Sequence, residues 1–154
     1  MKKTALYILI AVFIIVLVLY VNISNAIEKQ KKAEHFNNEY EIYLDKELSG
    51  TDIATIINRA IENNEKNSIP KDEKGFYLND DEKTIKVELN MISYNKEGEI
   101  IYNTFQMEAV NALGITNFLA NYNTANFRCS KIEYHQKTGQ VSKIVIEQNE
   151  EKIG

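Results

Sequence analysis

The sequence predicts an α+β protein: an N-terminal transmembrane helix continues into a stalk helix and leads to a small domain with an antiparallel sheet of about four to five strands and two helices. Three observations predict it. An uncharged stretch runs from Thr4 to Ile27, apolar residues then recur at helical spacing as far as Ile61, and from Phe76 onward the period changes to two. Two helices, a meander of strands, a helix and a final hairpin contain no βαβ repeat, which argues for an antiparallel sheet rather than a parallel nucleotide-binding one. The expected units are residues 1–27 as anchor, 28–48 as stalk or amphipathic helix, and 49–154 as an extracytoplasmic α+β domain.

Residues 5–21 (ALYILIAVFIIVLVLYV) carry no charge and include thirteen Leu, Ile, Val or Phe. As a helix the uncharged stretch reaches about 36 Å, enough to cross a hydrocarbon core of ~30 Å. At roughly −0.3 to −0.6 kcal/mol per such residue, insertion is favoured by several kcal/mol. The lipid bilayer is thus the first expected partner, through residues 5–21. Lys2 and Lys3 precede the run and set the N-terminus in the cytoplasm by the positive-inside tendency, although Lys29, Lys31 and Lys32 follow it. Met1-Lys2-Lys3 with the small residues Ser24-Asn25-Ala26 also fits a signal peptide released at Ala26, but the apolar run exceeds the ~7–15 residues of a signal core. A retained anchor is the favoured reading. No cysteine ends the segment, which speaks against a lipoprotein anchor, and the ending Asn149-Glu-Glu-Lys-Ile-Gly154 has no wall-anchoring or glycolipid tail.

Glu28 to Glu34 is rich in helix formers and continues the helix outward. Phe36, Tyr40, Tyr43, Leu44 and Leu48 are spaced for one helical face that packs on the domain, with Ser49-Gly50 as the stop. Thr51 or Asp52 is expected to cap a second helix, in which Ile53, Ile56, Ile57, Ala60 and Ile61 form a buried stripe; Asn63 to Ser68 and Pro70 end it. A short strand at Phe76–Leu78 and a turn at Asn79 to Glu82 lead to a strand with Ile85, Val87, Leu89 and Met91 inward. After a turn at Asn95-Lys96-Glu97-Gly98, Ile101, Asn103, Phe105 and Met107 mark the next strand. A helix follows over 112–123, with Leu113, Phe118, Leu119 and Tyr122 as core candidates. Phe127 to Tyr134 and Val141 to Glu147 close the chain as a hairpin whose turn places Gly139 at a positive-φ position.

Among 154 residues, 18 are basic and 22 acidic, a formal charge of −4; setting aside Lys2 and Lys3 leaves 16 against 22, or −6. No basic face is visible, so no nucleic-acid partner is expected. Cys129, the single cysteine, cannot form an internal disulfide. Cys129 and His135 are the one pair resembling a nucleophile and base, but six residues along a strand separate them by about 20 Å. Cys129 reads as a core thiol, His135 as a turn residue and His35 as a solvated stalk residue. Asp72-Glu73 with Asp80-Asp81-Glu82 gathers carboxylates without the spacing, central Gly or final Glu of a calcium loop, so no metal is expected. Gly50, Gly75, Gly98, Gly114 and Gly139 stand singly at element boundaries, and no phosphate-cradling loop is formed. Tyr77, Tyr94, Tyr102, Tyr122 and Tyr134 read as sheet-packing residues ahead of a sugar or peptide platform. No catalytic residue, cofactor or enzyme activity is expected.

The helix Gly50-Thr-Asp-Ile-Ala-Thr-Ile-Ile-Asn-Arg-Ala-Ile-Glu-Asn-Asn64 and the hairpin Ile132-Glu-Tyr-His-Gln-Lys-Thr-Gly-Gln-Val-Ser-Lys-Ile144, together with the anchor, resemble small uncharacterised single-pass membrane proteins of Gram-positive bacteria. That likeness implies a membrane-anchored extracytoplasmic fold and no particular activity. The plan of an apolar helix running into an amphipathic one is also similar to type IV pilins and pseudopilins. The chain departs from them in having Met-Lys-Lys-Thr-Ala5 where a processing Gly would stand, and no acid before Glu28. The function expected is a non-enzymatic envelope protein that binds another envelope protein or serves a structural role. A pilin-like subunit of a pilus or secretion apparatus, and a secreted binding module or enzyme released at Ala26, are the alternatives.

Overall fold

A computed structural model describes residues 2–122 and 125–149; the last residue of the helix expected over 112–123 and the chain end beyond 149 lie outside the described residues. The apolar run lies in one unbroken helix, α1 (Lys2–Glu41), about 60 Å long. Its side chains from Thr4 to Lys32 are all exposed, and Ala33, Asn37 and Tyr40 are its buried residues. Spaced by four and three, these three form one stripe against the domain.

The helix ends seven residues before the expected Leu48. Tyr43, Leu44 and Leu48 do pack on the core, but from turn and strand: Leu44 bridges Cys129, and β1 (Glu47–Leu48) pairs with Arg128 and Phe127. Helical spacing alone could not distinguish these alternatives, because both bury the same apolar residues. The next helix, α2 (Gly50–Lys66), begins at a reciprocal cap. The Ser49 hydroxyl accepts the Asp52 amide at 3.3 Å, while Asp52 Oδ2 accepts the Ser49 amide at 2.8 Å, so the cap is Ser49 with Asp52 as its return partner. The expected isoleucine stripe is buried throughout, each fully buried Ile contributing roughly 2–3 kcal/mol against exposure.

Five strands form one mixed sheet in the order β1-β4-β5-β2-β3, with β2 (Lys86–Tyr94), β3 (Ile100–Gln106), β4 (Phe127–Tyr134) and β5 (Val141–Gln148). Every neighbouring pair is antiparallel except the central β2 and β5, which run parallel. The α+β plan is as the sequence predicts, but the sheet is mixed rather than antiparallel throughout: the β2–β3 and β4–β5 hairpins meet through β2 and β5, which run in the same direction. Tyr77 makes only an isolated bridge to Lys71 where a short strand is expected. Where one helix is expected over 112–123 there are two: α4 (Ile115–Tyr122) falls within that range, while α3 (Met107–Leu113) begins five residues earlier and takes Met107 out of the expected strand. The break between them is at Gly114, whose φ of +91° suits glycine. Helices cover one face of the sheet, where Val87, Leu89, Phe127, Cys129, Ile144 and Ile146 meet the α2 stripe and Phe118. The other face carries Glu88, Asn90 and Lys143, with Glu88 and Lys143 paired at 2.8 Å.

Candidate functional site

Buried amides fasten the ends of these elements. Asn37, on α1, donates to Gly139 O at 2.8 Å and accepts from Val141 N at 2.9 Å, so one side chain ties the stalk to the β4–β5 turn. Asn64 does the same for the entry to β2, donating to Ile85 O and accepting from Ile85 N, both at 2.8 Å. His135 is buried at the head of the same turn, its Nε2 2.8 Å from Thr84 O. Each satisfies backbone groups that would otherwise be buried without a partner. These are structural assignments; Asn37 carries no sequence signal that separates it from the many exposed asparagines, and Asn64 carries only its position in line with the α2 stripe.

The groups singled out for chemistry are dispersed. Cys129 is buried on β4 and burial pushes its thiol up to about 11, so at neutral pH it is protonated and inert. Its thiol donates to Lys131 O at 3.9 Å, and His135 is engaged elsewhere. Asp80 Oδ1 accepts from the amides of Glu82, Lys83 and Thr84 and from the Thr84 hydroxyl at 2.7–3.1 Å. Burial acts to raise the Asp80 carboxyl, but those donors outweigh it and hold the group well below the usual carboxylate range. Asp72 Oδ1 likewise accepts from Lys74 N and Phe76 N. Among the described residues no three His, Cys, Asp or Glu side chains are placed to hold a metal ion.

Of the five tyrosines, Tyr77 is buried, with Lys71 Nζ 4.3 Å from its ring centre. Tyr134 donates to Glu41 at 2.7 Å and is raised to about 12, first by burial and then by that carboxylate. Tyr94 and Tyr102 lie exposed on the open sheet face, and Tyr122, the last residue of α4, is half-buried. Tyr94 and Tyr102 are diagonal neighbours across β2 and β3, and buried Tyr77 has no part in that surface. Glu108, at the start of α3, receives Tyr77 N at 3.0 Å and lies 3.6 Å from Lys86; its second oxygen, Oε2, is buried without a hydrogen-bond partner. It borders a shallow hollow of about 230 Å³ with Lys71, Lys74 and Phe76.

The more distinctive feature lies on the helix-covered face of the sheet, between it and helices α3 and α4. Leu89 and Met91 of β2 and Phe105 of β3 floor an apolar groove of about 280 Å³, walled by Val110 and Leu113 of α3 and by Phe118 and Tyr122 of α4. Asn117 and Asn121 line it too, but both amides are spent on backbone carbonyls: Asn117 donates to Leu113 O at the end of α3, across the Gly114 break, and Asn121 to Asn117 O within α4. Beyond the groove runs β3, the last strand of the sheet. None of its seven residues is charged, and six of them are exposed. Among the described residues outside α1, nine large apolar side chains are exposed, and six of them, Tyr94, Ile100, Ile101, Tyr102, Phe105 and Leu113, lie on or beside β3. That concentration distinguishes a surface patch from the scattered apolar residues any protein exposes.

Register shows which backbone groups face outward. Ile92 N–H is spent on Gln148 Oε1 at 3.0 Å, so it is turned away from β3. In an antiparallel ladder the N–H and C=O of one residue point to the same side, and successive residues alternate. Ile92 is opposite Tyr102 and Asn90 is opposite Thr104, so the Thr104 N–H and C=O point away from β2, out of the sheet. Side chains on the helix-facing side of β3 are those of Ile101, Asn103 and Phe105, paired with Ser93, Met91 and Leu89. No protein-family model matches the chain, and neither a curated protein nor a solved structure matches it.

Proposed function

We propose that the chain is a single-pass membrane protein with a cytoplasmic N-terminus, whose domain is held outside the membrane to bind another envelope protein without catalysing a reaction. The observation that carries this reading is the union of anchor and domain. An apolar stretch long enough to span a bilayer is wholly exposed, and the same helix enters the core through Tyr40 and Asn37. Seventeen or more exposed apolar side chains in one helix are costly in water and favourable in lipid. From Ile27 to Ala33, the first residue buried by the domain, the helix rises about 9 Å, which sets the domain close above the headgroups. A tether that is part of the core fixes the domain's height and direction, as a contact role at the membrane surface requires.

Two measurements test it. Membrane fractionation with protease protection should find the full chain extracted by detergent alone, with residues beyond 28 digestible from outside; a free cytosolic chain would overturn the reading. Replacing residues 2–26 with an efficiently cleaved signal peptide should abolish function in cells, and complete replacement by the released domain would show that anchoring is dispensable. The unbroken run of α1 from apolar segment into core also supports a pilin-like anchor. That second reading requires processing, so an unchanged N-terminal mass after loss of a prepilin peptidase excludes its processed form, while a mature chain beginning after Ala26 would establish release instead.

A further inference from the structure

We propose that the outer edge of β3 and the groove beneath it bind an extended, uncharged segment of a different polypeptide, which joins the sheet as a sixth strand and sets alternate apolar side chains into the groove. This rests on the reading of the domain as an anchored binding module. The ligand's backbone follows from the edge. Thr104 presents N–H and C=O outward at β3, and a strand is the element whose own groups match such a row. Its side chains follow from the groove, because residues of an added strand that face the helices would lie beside Phe105 and Leu113 at the groove mouth, where large apolar side chains can lean inward toward Leu89 and Met91. Its lack of charge follows from β3. Ile100 to Gln106 offers no charged side chain, the Glu88–Lys143 pair across β2 is already neutralised, and the exposed charges of Lys96, Glu97 and Glu99 stand in the turn before the strand. A charged side chain laid along β3 itself would therefore lose hydration with no counter-charge beside it.

A second copy in the same membrane fits poorly. Identical edges pair antiparallel across a two-fold axis. Strand β5 starts at the β4–β5 turn, β2 runs parallel to it and β3 returns, so Gln106 lies at the end of the sheet where Asn37 brings in the anchor. A two-fold between β3 edges sets that end of one copy beside the far end of the other, and the anchors would leave opposite ends of the joined sheet. Parallel pairing about an axis along the strands would oppose identical groups, donor against donor. The occupant is therefore a strand of another chain.

The test uses the full chain in phospholipid nanodiscs and a phage-displayed library of random nine-residue peptides, with a selected peptide then synthesised and labelled. The expected peptides hold at least five consecutive uncharged residues with large apolar side chains at alternate positions. Thr104→Pro removes an outward N–H that β2 does not use and should weaken binding about tenfold, equivalent to the loss of one good hydrogen bond. Leu113→Glu, at the exposed groove mouth, should weaken it by a similar factor, and unchanged circular dichroism for both variants separates binding from folding. Failure to select any peptide, selection of charged or helical sequences, or affinity indifferent to both substitutions overturns the proposal. So does a nanodisc-bound dimer that Thr104→Pro dissolves. If fractionation finds the chain outside the membrane while Thr104-dependent binding persists, the anchored reading falls and the edge site stands; membrane residence with indifferent binding gives the converse.

Discussion

The two edges of the sheet are built by opposite rules. At one, β1 is two residues long, Leu44 lies opposite Cys129 in an isolated bridge, Asp45 N–H donates to Cys129 O at 3.1 Å, Arg128 pairs with Asp45 at 2.7 Å, and Asn37 fastens the stalk to the adjacent turn. At the other, β3 is seven residues long, uncharged and exposed, without the proline, lysine or bulge that commonly blunts an edge. A short, charged, covered edge resists pairing and a long neutral one invites it. The chain protects the edge its anchor occupies and leaves the distant one able to accept a strand.

Breaking the closed edge should have the largest effect. Asn37→Ala leaves Gly139 C=O and Val141 N–H without their buried partner and should cost about 3 kcal/mol, read by chemical denaturation of the full chain in detergent. Nearly as large is the effect of proline at Asn103, whose N–H points toward β2; Asn103→Pro should cost about 2 kcal/mol, whereas Thr104→Pro one residue on should cost under ~1 kcal/mol. Equal losses at both positions would mean that the outward register of β3 is misassigned. Asp80→Ala should cost about 1 kcal/mol at neutral pH, discounted because the carboxylate lies near solvent. Since the native Asp80 is depressed, its contribution is complete above the unfolded value of ~3.9 and is lost as pH falls toward the native one. The gap between wild type and variant should therefore narrow below about pH 4. The smallest signal is at Cys129, which should resist maleimide at pH 7 in the native chain and become labelled in Asn37→Ala, if loosening the stalk opens the edge that covers it.

Elements with a strong local period were the legible ones. Helix α2 declared itself through Ile53, Ile56, Ile57, Ala60 and Ile61, and β2 through its inward Val87, Leu89 and Met91, because burial on one face imposes the period of the backbone. The β4–β5 turn was legible through Gly139, which adopts φ +68°. The end of α1 was not, since Leu44 and Leu48 satisfy helical spacing equally well, and pairing with β4 decided the matter. Nor was Asn64, which continues the α2 stripe as a polar residue and is buried only because Ile85 supplies both bonds. Sequence placed Ile101 and Phe105 in a strand but gave no sign that the strand would be the outermost, and the groove draws its walls from two helices that no local pattern joins to Leu89.

By itself the sequence determined the lipid-suited helix, the amphipathic α2, the strand and turn residues and the α+β class, all consequences of how neighbouring side chains partition between water and an apolar phase. Only the tertiary structure decided that β2 and β5 meet in parallel, that Asn37 and Asn64 are buried, and that β1 closes one edge while β3 leaves the other open. Those outcomes depend on partners as many as 104 residues apart, where backbone hydrogen bonds are allotted by the whole sheet rather than by any one segment.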